Sequence, residues 1–218
     1  INLGKWSILK SNKEIKNLAK IMGYPKTKIV LKPSTGSGSR GVVILDSKIK
    51  KFKYLNNRFS GTGNINSVTK ELKKHKIKLK KYICMPHYNG DVFDVDCFAL
   101  NGKPITIIPR LRVWENPLSP ANQGCIIQNN HKVINYVKKI IHNLNLNGPC
   151  DFDIVLDKKR NPKLLDSSNR FSGSVGASFV GGLNIPEQIV RHLFGLRISK
   201  IKINNAKQMF PVKKFIKL

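Results

Sequence analysis

Short apolar runs alternate along the chain with longer polar stretches, and the spacing within each run predicts its element. Residues 5–9 open in a strand-like pattern. Ile15, Leu18, Ala19 and Met22 recur at three- and four-residue spacing, which predicts a helix over 12–22. Ser11 is placed to cap it, with Glu14 three residues on completing a capping box. Ile29-Val30-Leu31 reads as a buried strand and 42–45 as a second, with a small, glycine-rich segment between them. Strand, glycine loop, strand predicts a hairpin, whereas a dinucleotide-binding or P-loop unit places a helix after the loop. The stretch 46–81 is mostly polar, with a helix over 67–76. A strand over 82–85 follows, then a turn at Asn89-Gly90 and an alternating strand over 92–100. Asn101-Gly102 signals a tight hairpin turn, so 104–113 returns as the paired strand. After a loop over 116–123, apolar residues at helical spacing predict a helix over 132–144. Strands over 151–156 and 163–166 flank a turn at 158–162, and 186–195 forms a last helix with Pro186 in its first turn. No internal repeat is visible. The fold class is α+β, mostly antiparallel hairpins with helices packed on them.

At 218 residues and 40% hydrophobic, the chain can bury a sizeable core. It has no apolar run of the roughly 18 residues a membrane span needs, and no signal peptide opens it, so a cytoplasmic location is expected. Because it starts at Ile1 and runs at once into a strand, we expect an N-terminal portion of a longer protein to precede it. The net charge of +28 suggests an anionic partner such as nucleic acid. Its lysines are scattered, however, without interleaved aromatics for stacking. A solvated basic surface that steers anionic ligands is the reading preferred here, and nucleic acid is not an expected partner. Cys84, Cys97, Cys125 and Cys150 are dispersed, mostly beside apolar residues, and share no ligand spacing with the histidines. Buried, reduced thiols are expected rather than a zinc site.

Three constellations carry chemistry. In Lys32-Pro33-Ser34-Thr35-Gly36-Ser37-Gly38-Ser39-Arg40-Gly41, a lysine at the end of a buried strand precedes a loop of small residues. Its N–H groups can close on a polyphosphate without Cβ obstruction, and Arg40 adds a planar donor. A flexible surface hairpin is the competing reading. Asp153 and Asp166 lie on two strands joined by a tight turn, so a hairpin can set both carboxylates on one face, as a Mg²⁺ ion requires. Two unrelated surface aspartates are the alternative. Asp151 and Asp157 are neighbours in that hairpin, either beside Asp153 or in the turn. In Ser168-Asn169-Arg170-Phe171-Ser172-Gly173-Ser174, Arg170 could stabilise charge on a transferring phosphoryl group, or the segment could be a capping loop with a structural arginine.

These pieces fall in one order: Lys32 on its strand, the glycine loop, 90–96, Pro109-Arg110-Leu111-Arg112, the acidic pair and the Arg170 loop. That order resembles the ATP-grasp superfamily, in particular its carbamoyl-phosphate-synthase-like branch, over nearly the whole chain. The resemblance implies an ATP-grasp fold of two α+β lobes, over 1–84 and 85–218, gripping ATP between them. It implies that Lys32 contacts ATP phosphates and acts in catalysis with Arg170, under a mobile loop of Gly36, Ser37, Gly38, Ser39, Arg40 and Gly41. Met85, Pro86, His87 and Tyr88 would form a hinge that holds adenine through backbone groups. Arg110 and Arg112 would meet phosphate or the acceptor carboxylate. Asp153, Asp166 and Ser168 would hold Mg²⁺ or Mn²⁺. Members usually read Glu-Ile-Asn-Pro-Arg where this chain has Asp166-Ser167-Ser168-Asn169-Arg170, so Ser168 stands at the metal-binding amide position unless Asn169 shifts into it. An acidic hinge residue is replaced by Pro86. The ribose-holding glutamate falls at Val92, which leaves Asp91 as its substitute.

The implied activity is an ATP-dependent carboxylate–amine, or carboxylate–thiol, ligase working through an acylphosphate on small-molecule substrates. A preceding domain or a second copy of the chain would be its partner. A degenerate domain that binds nucleotide or a partner without catalysis is the alternative, and a basic nucleic-acid-binding protein is a third reading, resting on charge alone.

Overall fold

The computed structural model describes residues 1, 3–36, 41–55, 59–113, 124–180, 182, 184–198 and 208–209. They divide into two units, Leu3–Tyr88 and Asn89–Leu218, the second joined by Ile1–Asn2. The expected loop over 116–123 lies outside the described residues, as does most of the basic C-terminal segment.

The first unit runs β1 (Ser7–Leu9), α1 (Ile15–Ile21), β2 (Ile29–Pro33), β3 (Val43–Leu45), β4 (Lys53–Tyr54), β5 (Gly61–Gly63), α2 (Ile65–Lys74) and β6 (Tyr82–Pro86). Its sheet has the order β1-β6-β2-β3-β5-β4. Ile29, Leu31, Val43 and Leu45 on one sheet face pack with Ile15 and Ala19 of α1 and with Val68 and Leu72 of α2. Each such fully buried aliphatic side chain contributes about 1.5–3 kcal/mol. The predicted hairpin is present as β2–β3, with Leu31 opposite Val43. The capping box is not formed. Ser11 makes no side-chain cap bond, and Asn12–Glu14 is a 3₁₀ turn. Glu14 instead accepts the N–H of Lys10 at 2.8 Å, one residue before the expected position. Asparagine supplies the caps of later helices, with Asn64 Oδ1 accepting from the Ser67 N–H at 2.9 Å.

The second unit runs β7 (Val92–Leu100), β8 (Lys103–Arg112), β9 (Cys125–Ile127), α3 (His131–Asn143), β10 (Gly148–Leu156), β11 (Pro162–Ser168), α4 (Gly176–Val180), α5 (Ile185–Leu193) and β12 (Gln208–Met209). Its antiparallel sheet has the order β11-β10-β7-β8-β9-β12. Phe93, Val95, Cys97, Phe152 and Ile154 form one face and pack against Val133, Val137, Ile140 and Ile141 of α3. The four cysteines are buried and free. Among the described residues no helix is long and apolar enough to cross a membrane.

Two β-bulges decide what the opposite face carries. The β7–β8 hairpin turns at Asn101-Gly102, both at positive φ, as a two-residue turn of this kind needs. Its first pairs are Leu100 with Lys103 and Ala99 with Pro104, a parity that would set Asp94 opposite Pro109. The register shifts at Phe98/Ala99, where Ile105 is the extra residue, and Asp94 falls opposite Arg110. A second shift at Asp153/Ile154 passes over Leu165, so Asp153 lies opposite Asp166 and Asp151 opposite Ser168. Because a one-residue slip exchanges the two faces of a strand, these bulges place Asp94, Asp96, Arg110, Arg112, Asp151, Asp153, Asp166 and Ser168 on one side.

Gly90 sets where β7 begins. A Cβ on it would lie 1.9 Å from the carbonyl oxygen of Leu156. The Leu156 N–H donates to the Asp91 carbonyl at 2.9 Å, so neither backbone can retreat without breaking the ladder. Gly90→Ala should therefore destabilise the protein by about 2 kcal/mol or more. Urea denaturation checks this, and a variant as stable as wild type would show that the strands can separate here.

Candidate active site

On the second unit's polar face the cover changes from row to row. Phe98 and Ile108 lie beneath Ile185 of α5, in an apolar cluster that Ile127 completes. One row on, the fully buried Arg110 meets Asp96, with Nε 2.8 Å from Asp96 Oδ2 and Nη2 donating to Oδ1 at 3.1 Å. Arg110 also donates through Nη2 to Ser172 Oγ and through Nη1 to Ser174 Oγ, both at 2.9 Å. The buried Ser178 hydroxyl donates to Asp96 Oδ2. Burial pulls the Arg110 pKa down, but the charges of Asp96 and Asp94 outweigh it and hold the group above its ordinary value. Arg110, expected at phosphate or an acceptor carboxylate, is instead committed to pinning the segment after β11 to the sheet.

Asp94, Asp153 and Asp166 lie in register with Arg110, and Arg112, two residues further along β8, reaches them diagonally. Arg112 Nε donates to Asp94 Oδ1 at 2.9 Å, and its Nη2 bonds the same oxygen and lies 2.9 Å from Asp153 Oδ2. Asp94 Oδ2 and Asp151 Oδ1 are buried without a hydrogen-bond partner. Burial drives the Asp151 carboxyl up to about 8, reinforced by Asp153, Asp96 and Asp94. Burial also raises Asp153 well above the ordinary carboxylate range; Arg112 pulls it back, and Asp94 opposes that. Five of the chain's 12 acidic residues thus crowd one face of a protein of net charge +28.

These residues fit a divalent cation. Directly opposed carboxylates repel unless a proton or cation lies between them, and oxygen ligands suit Mg²⁺. Asp153 and Asp166 are the pair that would hold it, with Ser168 one row away opposite Asp151. Among the described residues no three His, Cys, Asp or Glu side chains are arranged as a metal cage, so phosphate or water oxygens would complete the shell. Asp157 sits in the turn, where its Oδ1 accepts the N–H groups of Lys159 and Asn161 at 2.9 and 2.8 Å.

The other expected site residues lie elsewhere. Arg170 is exposed just beyond β11, and its Nη1 donates to the Phe171 carbonyl at 2.7 Å. Asp91 pairs with Arg160 at 2.8 Å on the surface. In the first unit, Lys32 is half-buried on β2 opposite Ile83, facing away from the core residue Leu31. Gly36 and Gly41 bracket the glycine segment, and the Gly41 N–H donates to the buried Ser60 hydroxyl at 2.8 Å. Ser37, Gly38, Ser39 and Arg40 lie outside the described residues. Met85 and Pro86 end β6, and His87, whose N–H donates to the Lys28 carbonyl at 2.8 Å, and Tyr88 close the first unit.

The family described as "ATP-grasp in the biosynthetic pathway with Ter operon" matches residues 78–217, more than half of the chain. The chain belongs to that ATP-grasp family. Members of the ATP-grasp superfamily are ATP-dependent carboxylate–amine ligases. No curated protein matches the chain. Solved structures share the ATP-grasp fold at low identity. The biotin carboxylase domain of Hydrogenobacter thermophilus 2-oxoglutarate carboxylase, a dimer in complex with MgADP, ADP and bicarbonate, is 18% identical, with a TM-score of 0.64 over 93% of this chain and 44% of its own. An Aspergillus clavatus N5-carboxyaminoimidazole synthase in complex with ADP and 5-aminoimidazole ribonucleotide is 13% identical, with a TM-score of 0.65 over 95% and 52%. The L-amino acid ligase of Bacillus licheniformis is 14% identical, with a TM-score of 0.60 over 98% and 50%. This ATP-grasp chain spans about half the length of those structures.

Sequence reasoning named Arg110 and Arg112 but assigned no role to Asp94, Asp96, Ser174 or Ser178. The signal was Asp-x-Asp before an Asn-Gly turn and Arg-x-Arg after it. Without the bulge, though, the turn's parity sets those pairs on opposite faces.

Proposed function

We propose that this chain is the nucleotide- and metal-binding part of an ATP-dependent ligase that joins a carboxylate to an amine, or another nucleophile, through an acylphosphate. The observation that carries this reading is the directly opposed pair Asp153 and Asp166 on the polar face, beside a loop anchored by Arg110. The substrate carboxylate oxygen would attack the γ-phosphorus of ATP and release ADP. The amine nitrogen would then attack the acyl carbon and release phosphate. Lys32 is assigned to the ATP phosphates, and the exposed Arg170 to the transferring group. Bound at Asp153 and Asp166, Mg²⁺ would supply charge neutralisation on the phosphates, and Ser168 is assigned to its shell. The protein contributes positioning and electrostatics, with little covalent chemistry of its own. The substrates are small molecules, and the cytoplasm, which supplies ATP, is the expected compartment.

The test is calorimetric titration of ATP with and without Mg²⁺, followed by Lys32→Ala. We expect nucleotide to bind, and the exchange to weaken it about tenfold or more, as loss of a charge-assisted phosphate contact does. Wild-type protein that binds no nucleotide, or a variant of unchanged affinity, would count decisively against the assignment.

A further inference from the structure

Arg112 already occupies one of the carboxylates assigned to the metal. Its Nη2 lies 2.9 Å from Asp153 Oδ2, on a side chain that is 8% exposed. It cannot yield by losing its proton, because an arginine guanidinium stays protonated in proteins. It also resists swinging away. Asp94 is buried, its Oδ1 takes two nitrogens of Arg112, and its Oδ2 has no hydrogen-bond partner. Withdrawing the guanidinium would leave a buried carboxylate uncompensated, one of the costlier events inside a protein. A divalent ion joining Asp153 to Asp166 therefore meets a fixed positive charge on the first of its ligands. Phosphate oxygens would bring the negative charge that lets both cations stay.

We propose that Arg112 is a resident cation on Asp153 that makes divalent-metal binding conditional on nucleotide: the ion alone is held weakly, and nucleotide phosphates admit it. Arg112 is then a positioning residue that orders the loading of the site, and it keeps a face of five carboxylates from collecting stray divalent ions. This rests on the assignment of Asp153 and Asp166 to the metal.

The experiment is Mn²⁺ titration of the full chain, followed by electron paramagnetic resonance, with and without saturating ADP and with protein-free Mn²⁺–ADP binding subtracted. For wild type we expect ADP to tighten Mn²⁺ binding about tenfold or more, the scale of relieving a repulsion between cations about 5 Å apart. Arg112→Gln should bind Mn²⁺ without ADP at least tenfold more tightly than wild type, and should gain less from ADP. Arg112→Lys, which keeps the charge, should restore the dependence on nucleotide. If Arg112→Gln does not fold, the double exchange Asp94→Asn with Arg112→Gln removes the buried pair together and should give the same gain. Wild-type protein that binds Mn²⁺ equally well with and without ADP overturns the proposal, as does a charge-removing variant with no gain. Asp153→Asn tests the metal ligand apart from Arg112. If ADP-dependent Mn²⁺ binding survives that exchange, the metal assignment itself is wrong, and the role of Arg112 falls with it.

Discussion

Replacing Arg110 by alanine should cost about 3–5 kcal/mol, the loss typical when one partner of a buried ion pair is removed. The guanidinium is fully buried and reaches Asp96, Ser172 and Ser174. Without it, Asp96 would remain at 2% exposure with only the Ser178 hydroxyl to satisfy it. Two serine hydroxyls would lose the arginine as a donor at the same time, so the segment that carries Arg170 would loosen. The pair itself need not be stabilising, because desolvating both charges offsets most of their attraction. Arg110→Met combined with Asp96→Leu should therefore recover much of the stability lost in the single variant. Urea denaturation gives the free energies, and hydrogen exchange of the β7 and β8 amides localises the loss. A single exchange costing less than about 1 kcal/mol would place Arg110 among weakly coupled surface pairs and show that it does not anchor this segment.

The contrast between Arg110 and Asp153 shows what the sequence could and could not disclose. Strands with strong apolar or turn signals, such as β7 with its Asn-Gly turn, are legible because their periodicity and φ requirements are local. β5 is not. Gly61-Thr62-Gly63 has little strand propensity, and it pairs because its glycines admit close neighbours: a Cβ on Gly61 would lie 2.3 Å from the Lys53 carbonyl oxygen. β9, only three residues long, is held by pairing with β8 rather than by any pattern of its own. The acidic pair was legible as two aspartates on one hairpin. The facing of arginines and aspartates across β7 and β8 was not, because it depends on a single extra residue, Ile105. Parity counted from the turn assigns the arginines to the wrong face. Alternation along β7 was also a poor guide to exposure, since Asp94 and Asp96 are as enclosed as Phe93 and Val95. Polar residues in the pattern marked a buried ionic layer rather than a solvated face.

That ionic layer should make stability fall as pH rises, the reverse of the usual carboxylate behaviour. The Asp151 carboxyl is pushed from 3.8 to about 8, by burial first and then by Asp153, Asp96 and Asp94, and Asp153 is raised as well. A carboxyl whose pKa is higher in the folded protein than in the unfolded chain favours folding while it is protonated. Its contribution is complete below the unfolded value near 4, and is lost progressively as pH rises through about 8. Asp46 and Asp157 are shifted the opposite way, so their contribution disappears only in acid, below the ordinary carboxylate range. Between pH 5 and 8 the raised pair should dominate, and the melting temperature without divalent ions should fall by several degrees. Asp151→Asn removes the most strongly raised carboxyl and should flatten that slope, leaving a variant more stable than wild type at pH 8. Mg²⁺ with ADP should have the opposite pH dependence, stabilising little at pH 5 and most at pH 8, because the ion binds the deprotonated carboxylates that folding alone disfavours. Thermal melts across this range, with and without Mg²⁺–ADP, check both trends. A wild-type melting temperature that rises steadily to pH 8 without metal would mean that the carboxylates of β7 and β10 are ionised and already satisfied in the folded protein, and the case for a cation on this face would lose its electrostatic basis.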